Sequence, residues 1–402
     1  MRNPLASRDP LTLLLNGDQP PYVPVAPVYE GLGPLQFHRM ALQWKKWWDR
    51  LEKAGTDRLE VGYQARFEVE LEIETEILDR FYPPPTWLGL PWSPGRVEAA
   101  VVRRGKDLFW VSGKGEAWMP PNREAYYQSL TAQGSQSPYS NLWERKSDAE
   151  GLLRQAAAKP ASVSSPTPGE VEAEMESVRY DLPKALMRRY SENLPFYSDG
   201  CSPYNGLFGA FGFQEMMCAF AESPDLVHQV LESRRPCIEA RLLAQRQLGI
   251  TLIFVEECLS SADLISPKTY LEFCFPYTKQ ALEFYENLGF RTVLYFAGNL
   301  MPLLPYLREL PFTALSFEED RKGYGIDLAE VRRAMGPARI LFGNIDALFV
   351  EKASDEELLA EVRRQIEVAG RDGNFVVSIG SPFTPGTSLE RVRFFCDSTK
   401  LL

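Results

Sequence analysis

The sequence predicts an α/β chain folded as a (β/α)8 TIM barrel with an α+β elaboration in its N-terminal half. Three observations carry this expectation. From about Pro195 onward, short apolar runs alternate with amphipathic helical patterns. The runs lack the in–out alternation of a half-exposed strand, as a parallel sheet covered by helices requires. Each run also ends in Gly, Asn, Asp, Glu or Ser, and the C-terminal strand ends of such barrels are where chemistry is done. No GxGxxG follows a strand, which weakens a doubly wound dinucleotide-binding reading.

Tyr22-Val-Pro-Val-Ala-Pro-Val28 reads as the first barrel strand, its ends marked by prolines. A helix follows, with Phe37, Met40, Ala41, Trp44, Trp47, Trp48 and Leu51 at helical spacing. Phe67, Val69, Leu71 and Ile73 alternate with Glu68, Glu70, Glu72 and Glu74, the pattern of a half-buried strand with a solvated acidic face. Val97–Val102 and Leu108–Ser112 flank Arg103-Arg-Gly-Lys-Asp107, a hairpin signature. Residues from about 57 to 125 therefore read as an insertion in one barrel domain spanning 1–402. Lys159–Gly169 is Pro/Ser-rich and reads as a surface loop.

The regular part begins with a helix opened by Ser223-Pro-Asp and running toward Leu248. Gly249–Val255 is a buried strand ending in Glu256-Glu257-Cys258. Ser266-Pro-Lys opens a helix to about Leu288. Arg291–Phe296 ends in Ala297-Gly-Asn299, and Phe312–Phe317 ends in Glu318-Glu-Asp320. Ile340-Leu-Phe-Gly-Asn-Ile-Asp346 and Phe375-Val-Val-Ser-Ile-Gly-Ser381 complete the series, separated by a charged helix from Ser354 to Gly370.

The composition narrows the function classes. The chain has 402 residues, 45% of them hydrophobic, enough for a sizeable core. A formal charge of −10, with no Lys/Arg-rich run, argues against nucleic acid or an anionic membrane surface as partner. No apolar run approaches the ~18 residues of a membrane span. Six dispersed cysteines without a CxxC, behind a polar N-terminus, read as a reduced, cytoplasmic protein. The two histidines, His38 and His228, sit in helical patterns away from strand ends, so a His base or His ligand set is hard to build.

On the barrel reading one rim collects Glu256, Glu257, Cys258, Tyr295, Asn299, Glu318, Glu319, Asp320, Asn344, Asp346, Ser378 and Ser381. Asp320 and Asp346 also suit the ordinary duty of capping the next helix, and Cys258 that of a small buried residue. Acids gathered in one water-poor mouth raise one another's pKa unless a cation or metal sits among them. Such a mouth suits a general acid, a metal ion or a cationic substrate, and suits a polyanion badly.

Several segments resemble the uroporphyrinogen decarboxylase superfamily, specifically its corrinoid-dependent methyltransferase branch. Ser202-Pro-Tyr-Asn-Gly-Leu-Phe-Gly-Ala-Phe-Gly212 is similar to its "GPF…G" segment, and Ser223-Pro-Asp-Leu-Val-His228 to its "P-E-L-V-H" helix start. Leu264-Ile-Ser-Pro-Lys-Thr-Tyr-Leu-Glu-Phe-Cys-Phe-Pro-Tyr277 resembles "ISPexYreFvlPY". Phe342-Gly-Asn-Ile-Asp346 resembles "GNiD", and Pro382–Val392 the "iPPdtPleNV" terminus.

The departures limit what that resemblance implies. The decarboxylase's Arg-rich "MRQAGR" loop, which holds substrate carboxylates, is replaced by Val28-Tyr-Glu-Gly-Leu-Gly33. The zinc methyltransferases' His-x-Cys and later Cys are replaced by Tyr295, Ala297 and Ser381. A variant zinc site using Glu257, Cys258 or Glu272 stays open.

The resemblance implies an enzyme moving a methyl group from a small methylated substrate, of methyl ether or methylamine type, to a corrinoid (cobalamin) carried by a partner protein. Glu256, Glu257 or Glu318 would supply a proton or hold a metal. Tyr295, Asn299, Asn344, Asp346 and Ser378 would bind the substrate. The rivals are a decarboxylase or other lyase acting on a small substrate, and a catalytically degenerate barrel that binds a small molecule. Self-association as a homodimer is left open.

Overall fold

The structure, a computed structural model, describes residues 9–28, 33–81, 87–132, 148–158, 166–233, 239–320 and 323–402. Most of the Val28–Gly33 loop, the stretch 159–165 and Cys237 lie outside them. The N-terminal part contributes strands β1 (Arg58–Val61), β2 (Leu88–Gly89), β3 (Ala99–Arg104), β4 (Asp107–Ser112) and β5 (Gly115–Met119). The regular part contributes β6 (Phe196–Cys201), β7 (Leu252–Glu257), β8 (Arg291–Phe296), β9 (Ala314–Phe317), β10 (Ile340–Phe342) and β11 (Phe375–Val376).

Seven of these strands form one sheet in the order β11-β10-β9-β8-β7-β6-β2, parallel at every step. The residues expected as the first barrel strand shrink to a parallel bridge between Val25 and Val377, beyond β11. Pro24 and Pro27 offer no N–H to a ladder, which limits pairing to Ala26 N with Val377 O and Val377 N with Pro24 O. The sheet curls until its edges face each other. Trp87, beside β2, donates its indole N–H to Pro27 O at 2.7 Å, and its ring meets Phe342 of β10 at 5.3 Å. No backbone hydrogen bond joins the Val25 segment to β2 among the described residues. The expected closed eight-stranded barrel is thus seen as a curled seven-stranded parallel sheet with a bridge at one edge.

Aromatic rings fill the inside of the curl. Trp87 packs on Tyr197 at 4.7 Å and Phe254 at 5.6 Å, and Phe254 stacks on Tyr295 at 5.4 Å. Gly89 belongs to this packing, because a Cβ there would meet the Tyr197 ring at 3.2 Å. Outside the sheet, helices such as Phe275–Asn287 and Asp355–Ala369 cover the other face. Both are buried along one stripe, at Leu282 and Tyr285 in the first and Leu358 and Val362 in the second.

The expected α+β elaboration forms as a four-stranded antiparallel sheet, order β1-β3-β4-β5. It is not one continuous insertion, since β2 lies inside it in sequence but pairs in the parallel sheet. The acidic alternating stretch is not a strand. It belongs to a helix, Tyr63–Phe81. Val69, Ile73 and Ile77, at 0%, 1% and 1% exposure and four apart, are buried along it, with Leu78 beside them. They pack with Trp47 and Leu51 of the helix Pro34–Ala54 and with Val101 and Leu108 of the antiparallel sheet. The glutamates meet cations of the neighbouring helix: Glu72 with Arg50, Glu74 with Arg39 and Glu76 with Lys46. Pro168, read as loop, instead occupies the first turn of a helix, Pro168–Met175, with a capping box between Thr167 and Glu170.

No helix among the described residues is long and apolar enough to cross a membrane. Cys218 and Cys274 are free thiols.

Candidate active site

Glu256 lies two residues beyond Phe254 on β7, so it projects from the same face, into the curl. It pairs in register with Tyr295 of β8, and Tyr295 with Ser316 of β9. Asp199 of β6 pairs with Phe254 and shares that face. Above the aromatic floor Asp199 and Glu256 border a cleft of about 480 Å³, which Tyr295 does not line. Its barrel side carries Tyr197, Asp199 and Glu256, with Trp92 from the segment after β2. Its other side carries Arg39, Glu70 and Glu74 from the two N-terminal helices. The cleft thus forms where the elaboration leans over the C-terminal strand ends.

Its charges are lopsided. Arg39 is the only cationic side chain lining the cleft among the described residues. It is committed to Glu74 by a two-pronged ion pair, Nε to Oε1 at 2.6 Å and Nη2 to Oε2 at 2.9 Å. Glu70, Asp199 and Glu256 remain. Desolvation, reinforced by the neighbouring Glu256 charge, pushes the Asp199 carboxyl up. Burial and the charge of Glu74 do the same to Glu70, which accepts a hydrogen bond from Gln43.

The other residues singled out from the sequence stand on the same rim, at the C-terminal ends of parallel strands, but with different duties. Glu257 projects from the opposite face of β7 to Glu256, into the layer between sheet and helices. It is fully buried. Thr278 donates to its Oε2 at 2.7 Å, and Oε1 has no hydrogen-bond partner among the described residues. Burial pushes its carboxyl up against the opposing pull of nearby hydroxyls. Tyr204, Tyr270 and Cys274 surround it, the last two delivered by a π-helical turn, Tyr270–Cys274.

Glu318 accepts from Gly298 N at 2.9 Å and from the Tyr324 hydroxyl. Asn299 caps the turn at Met301. Asp346 caps the helix Ala347–Lys352 through Leu348 N and Phe349 N, and Asp320 accepts from Ile326 N. Asn344 is tied to Glu318 O and to Gln365. Ser378 donates to Ala26 O at 2.7 Å, across the edge of the curl. Tyr295 faces the curl, its hydroxyl donating to Gly380 O at 2.9 Å. His228 is in the helix layer, bonded to the Tyr277 hydroxyl and stacked on Phe273.

Because Glu257 favours its neutral form in the fold, the folded state binds the proton more tightly than the unfolded chain. Its contribution to stability is therefore present at low pH and lost as pH rises through the folded value. Glu257→Gln is expected to remove that part of the pH dependence of thermal unfolding and to change turnover by much less than the ~10²-fold of a lost general acid. Melting curves from pH 4 to 9, with steady-state rates, check both. An unaltered melting profile, or a rate loss of that size, would place Glu257 elsewhere in the account.

The positions where the resemblance expects zinc ligands do not fit a zinc ion. Tyr295 and Ser381 direct their hydroxyls to Gly380 O and to Glu319, the latter at 2.8 and 2.9 Å, and Ala297 offers no donor. Gly380 lets these segments touch, since a Cβ there would meet Glu319 N at 2.2 Å. Glu257 and Cys258 are not joined by a third His, Cys, Asp or Glu in a metal-holding group among the described residues. No step is therefore drawn through zinc.

Asp199, Glu70, Glu74 and Arg39 were not singled out from the sequence. Asp199 ends an apolar run, Phe196-Tyr-Ser-Asp-Gly, just before the Ser202-Pro203 helix start, the same signal that marked the later strands. Glu70 and Glu74 were legible as an i, i+4 pair once the segment is read as helix.

Comparison with known proteins agrees with this architecture. A methyltransferase from Methanosarcina mazei aligns with 99% of the chain and 98% of its own length, at 16% identity and a TM-score of 0.55, a likeness of fold. A methylated-thiol–coenzyme M methyltransferase of Methanosarcina mazei is 22% identical over 54% of this chain and 55% of its own. A uroporphyrinogen decarboxylase of Gloeobacter violaceus is 24% identical over 46% and 50%, and a methylcobamide:CoM methyltransferase MtaA of Methanosarcina barkeri 27% identical over 42% and 47%. The chain spans about half the length of these curated relatives. The profile of the uroporphyrinogen decarboxylase (URO-D) family matches residues 168–401, from the helix before β6 to the last turn. The chain belongs to the uroporphyrinogen decarboxylase (URO-D) family.

Proposed function

We propose that this URO-D-family chain is a methyltransferase, taking a methyl group from a small donor bound in the cleft and delivering it to a corrinoid presented by a partner protein. The observation that carries the reading is the cleft itself: two carboxyls, Asp199 and Glu256, with no ion-pair partner within reach among the described residues, above an aromatic floor at the C-terminal ends of β6 and β7. The corrinoid is the second substrate, and its reduced cobalt supplies the nucleophile.

A heteroatom leaves its methyl group with the bonding electron pair only if it carries, or receives, positive charge. Asp199 and Glu256 hold or supply that charge. Asp199, its carboxyl pushed up by desolvation and by the Glu256 charge, donates to an ether oxygen or neutral amine. Where the heteroatom arrives already charged, the ionised pair is its counter-ion. Tyr197 forms part of the inner wall. The curled sheet and the N-terminal helices limit water around the reacting bond.

Support also comes from the relatives, of which two carry methyltransferase names. The decarboxylase-named relatives are as similar, but the cleft is acidic and its single Arg is held by Glu74. We therefore expect no measurable conversion of uroporphyrinogen to coproporphyrinogen, because a substrate of many carboxylates meets no free guanidinium lining the cleft among the described residues. Chromatography of the products would show this, and turnover at ordinary enzyme rates would refute it. The direct test of the methyltransferase reading mixes the purified protein with cob(I)alamin and a panel of methyl ethers, methylamines and methylthiols, and follows the cobalt absorbance. Methylcobalamin formed from at least one donor supports it, and no formation from any donor overturns it.

A further inference from the structure

The charge balance and one aromatic wall of the cleft say more about its ligand. Among the described residues, four carboxylates line it against one guanidinium, and that guanidinium is bound bidentately to Glu74. Arg241 acts on Asp199 from farther off, and Arg66 on Glu70 in the same way, with its guanidinium over the Trp110 ring. Trp92 lines the same cleft, 39% exposed, its ring against Tyr180 at 5.6 Å. An exposed indole at the lip of an acidic cleft is the combination that attracts an organic cation: the ring's negative face and the carboxylates act on the same charge.

Resting on the methyl-transfer reading above, the geometry points to a methylated ammonium cation as the donor, held in the cleft by Asp199, Glu256 and the Trp92 ring. The chemistry balances without a proton donor. The N–CH3 bond breaks, its electron pair stays on nitrogen to give a neutral amine, and the methyl group passes to the reduced cobalt of the corrinoid. The ionised carboxyls then hold the donor and set its orientation, and they lose their partner charge as the amine forms, which favours release.

The probe pair is choline and 3,3-dimethyl-1-butanol, which match in shape and differ in the charge on one atom. Titration calorimetry on the whole protein is expected to show choline binding at least about tenfold more tightly than the neutral alcohol. Asp199→Asn and Glu256→Gln are each expected to remove most of that preference. Trp92→Leu, at an exposed position that leaves the core untouched, should weaken choline by about two- to thirtyfold and leave the alcohol unchanged. Equal binding of the two probes, no binding of either, or a preference that survives in both carboxyl variants overturns the proposal. If the protein methylates cob(I)alamin from neutral donors only, this proposal falls and the methyltransferase reading stands. If choline binds with the stated preference but no donor gives up its methyl group, the cation site stands and the methyltransferase reading falls.

Discussion

Glu256→Gln is expected to lower methyl transfer by about 10²–10⁴-fold with the fold intact. The side chain projects into the cleft and packs against no core cluster, so its replacement leaves the burial around β7 unchanged. Gln keeps the shape and loses both the charge and the deliverable proton. Asp199→Asn should cost a similar factor, since Asp199 is held up by desolvation and by Glu256. The double variant should lose little more than the worse single one, because residues acting as a unit are not additive. Rates at saturating donor, with melting temperatures as the control for folding, check this. Turnover within about threefold of wild type in either single variant would remove the pair from the chemistry.

Trp87→Ala is expected to destabilise the fold by about 3–5 kcal/mol, among the largest losses any single side chain here would cause. The indole is 1% exposed and touches Tyr197, Phe254 and Phe342, so its removal leaves a cavity that the stiff curl cannot close. It also strips Pro27 O of its donor. Trp87→Phe keeps most of the packing and loses the hydrogen bond, and should cost about 1–2 kcal/mol. Urea denaturation of the two variants separates these contributions. Equal losses would mean that the hydrogen bond, not the ring's volume, holds the sheet edges together.

The parallel sheet was legible because its strands are buried on both faces and read as unbroken apolar runs. Arg291–Phe296 forms over the expected span, and Leu252–Glu257 differs from the expected Gly249–Val255 only at its ends. The acidic helix was not legible from residues 67–74 alone. Over eight positions, strict alternation satisfies a period of two, and the helical period shows only when Ile77 and Leu78 extend the buried stripe. The first strand was overread because its apolar residues hide two prolines that cannot join a ladder.

At the site, sequence put Glu256 and Glu257 side by side as candidate acids. Which of them looks into the curl depends on the pleat of β7, set by the packing of Phe254 on Trp87 and Tyr295. Asp346 and Asn299 showed polar residues at strand ends whose work is capping, and no local pattern separates that duty from binding. The far wall of the cleft comes from residues more than a hundred positions away in sequence, so Arg39 and Glu74 could not be joined to Asp199 without the fold.

The central claim is that the reacting cleft lies on the inner face of the curl, with Asp199 and Glu256, and not in the helix layer beside Glu257. The most direct measurement is the rate of methylcobalamin formation from cob(I)alamin and the best donor for Glu256→Gln and Glu257→Gln side by side. The account predicts a rate lowered by about 10²-fold or more for Glu256→Gln and a near-wild-type rate for Glu257→Gln. The reverse order, with Glu257→Gln inactive and Glu256→Gln active, would contradict it.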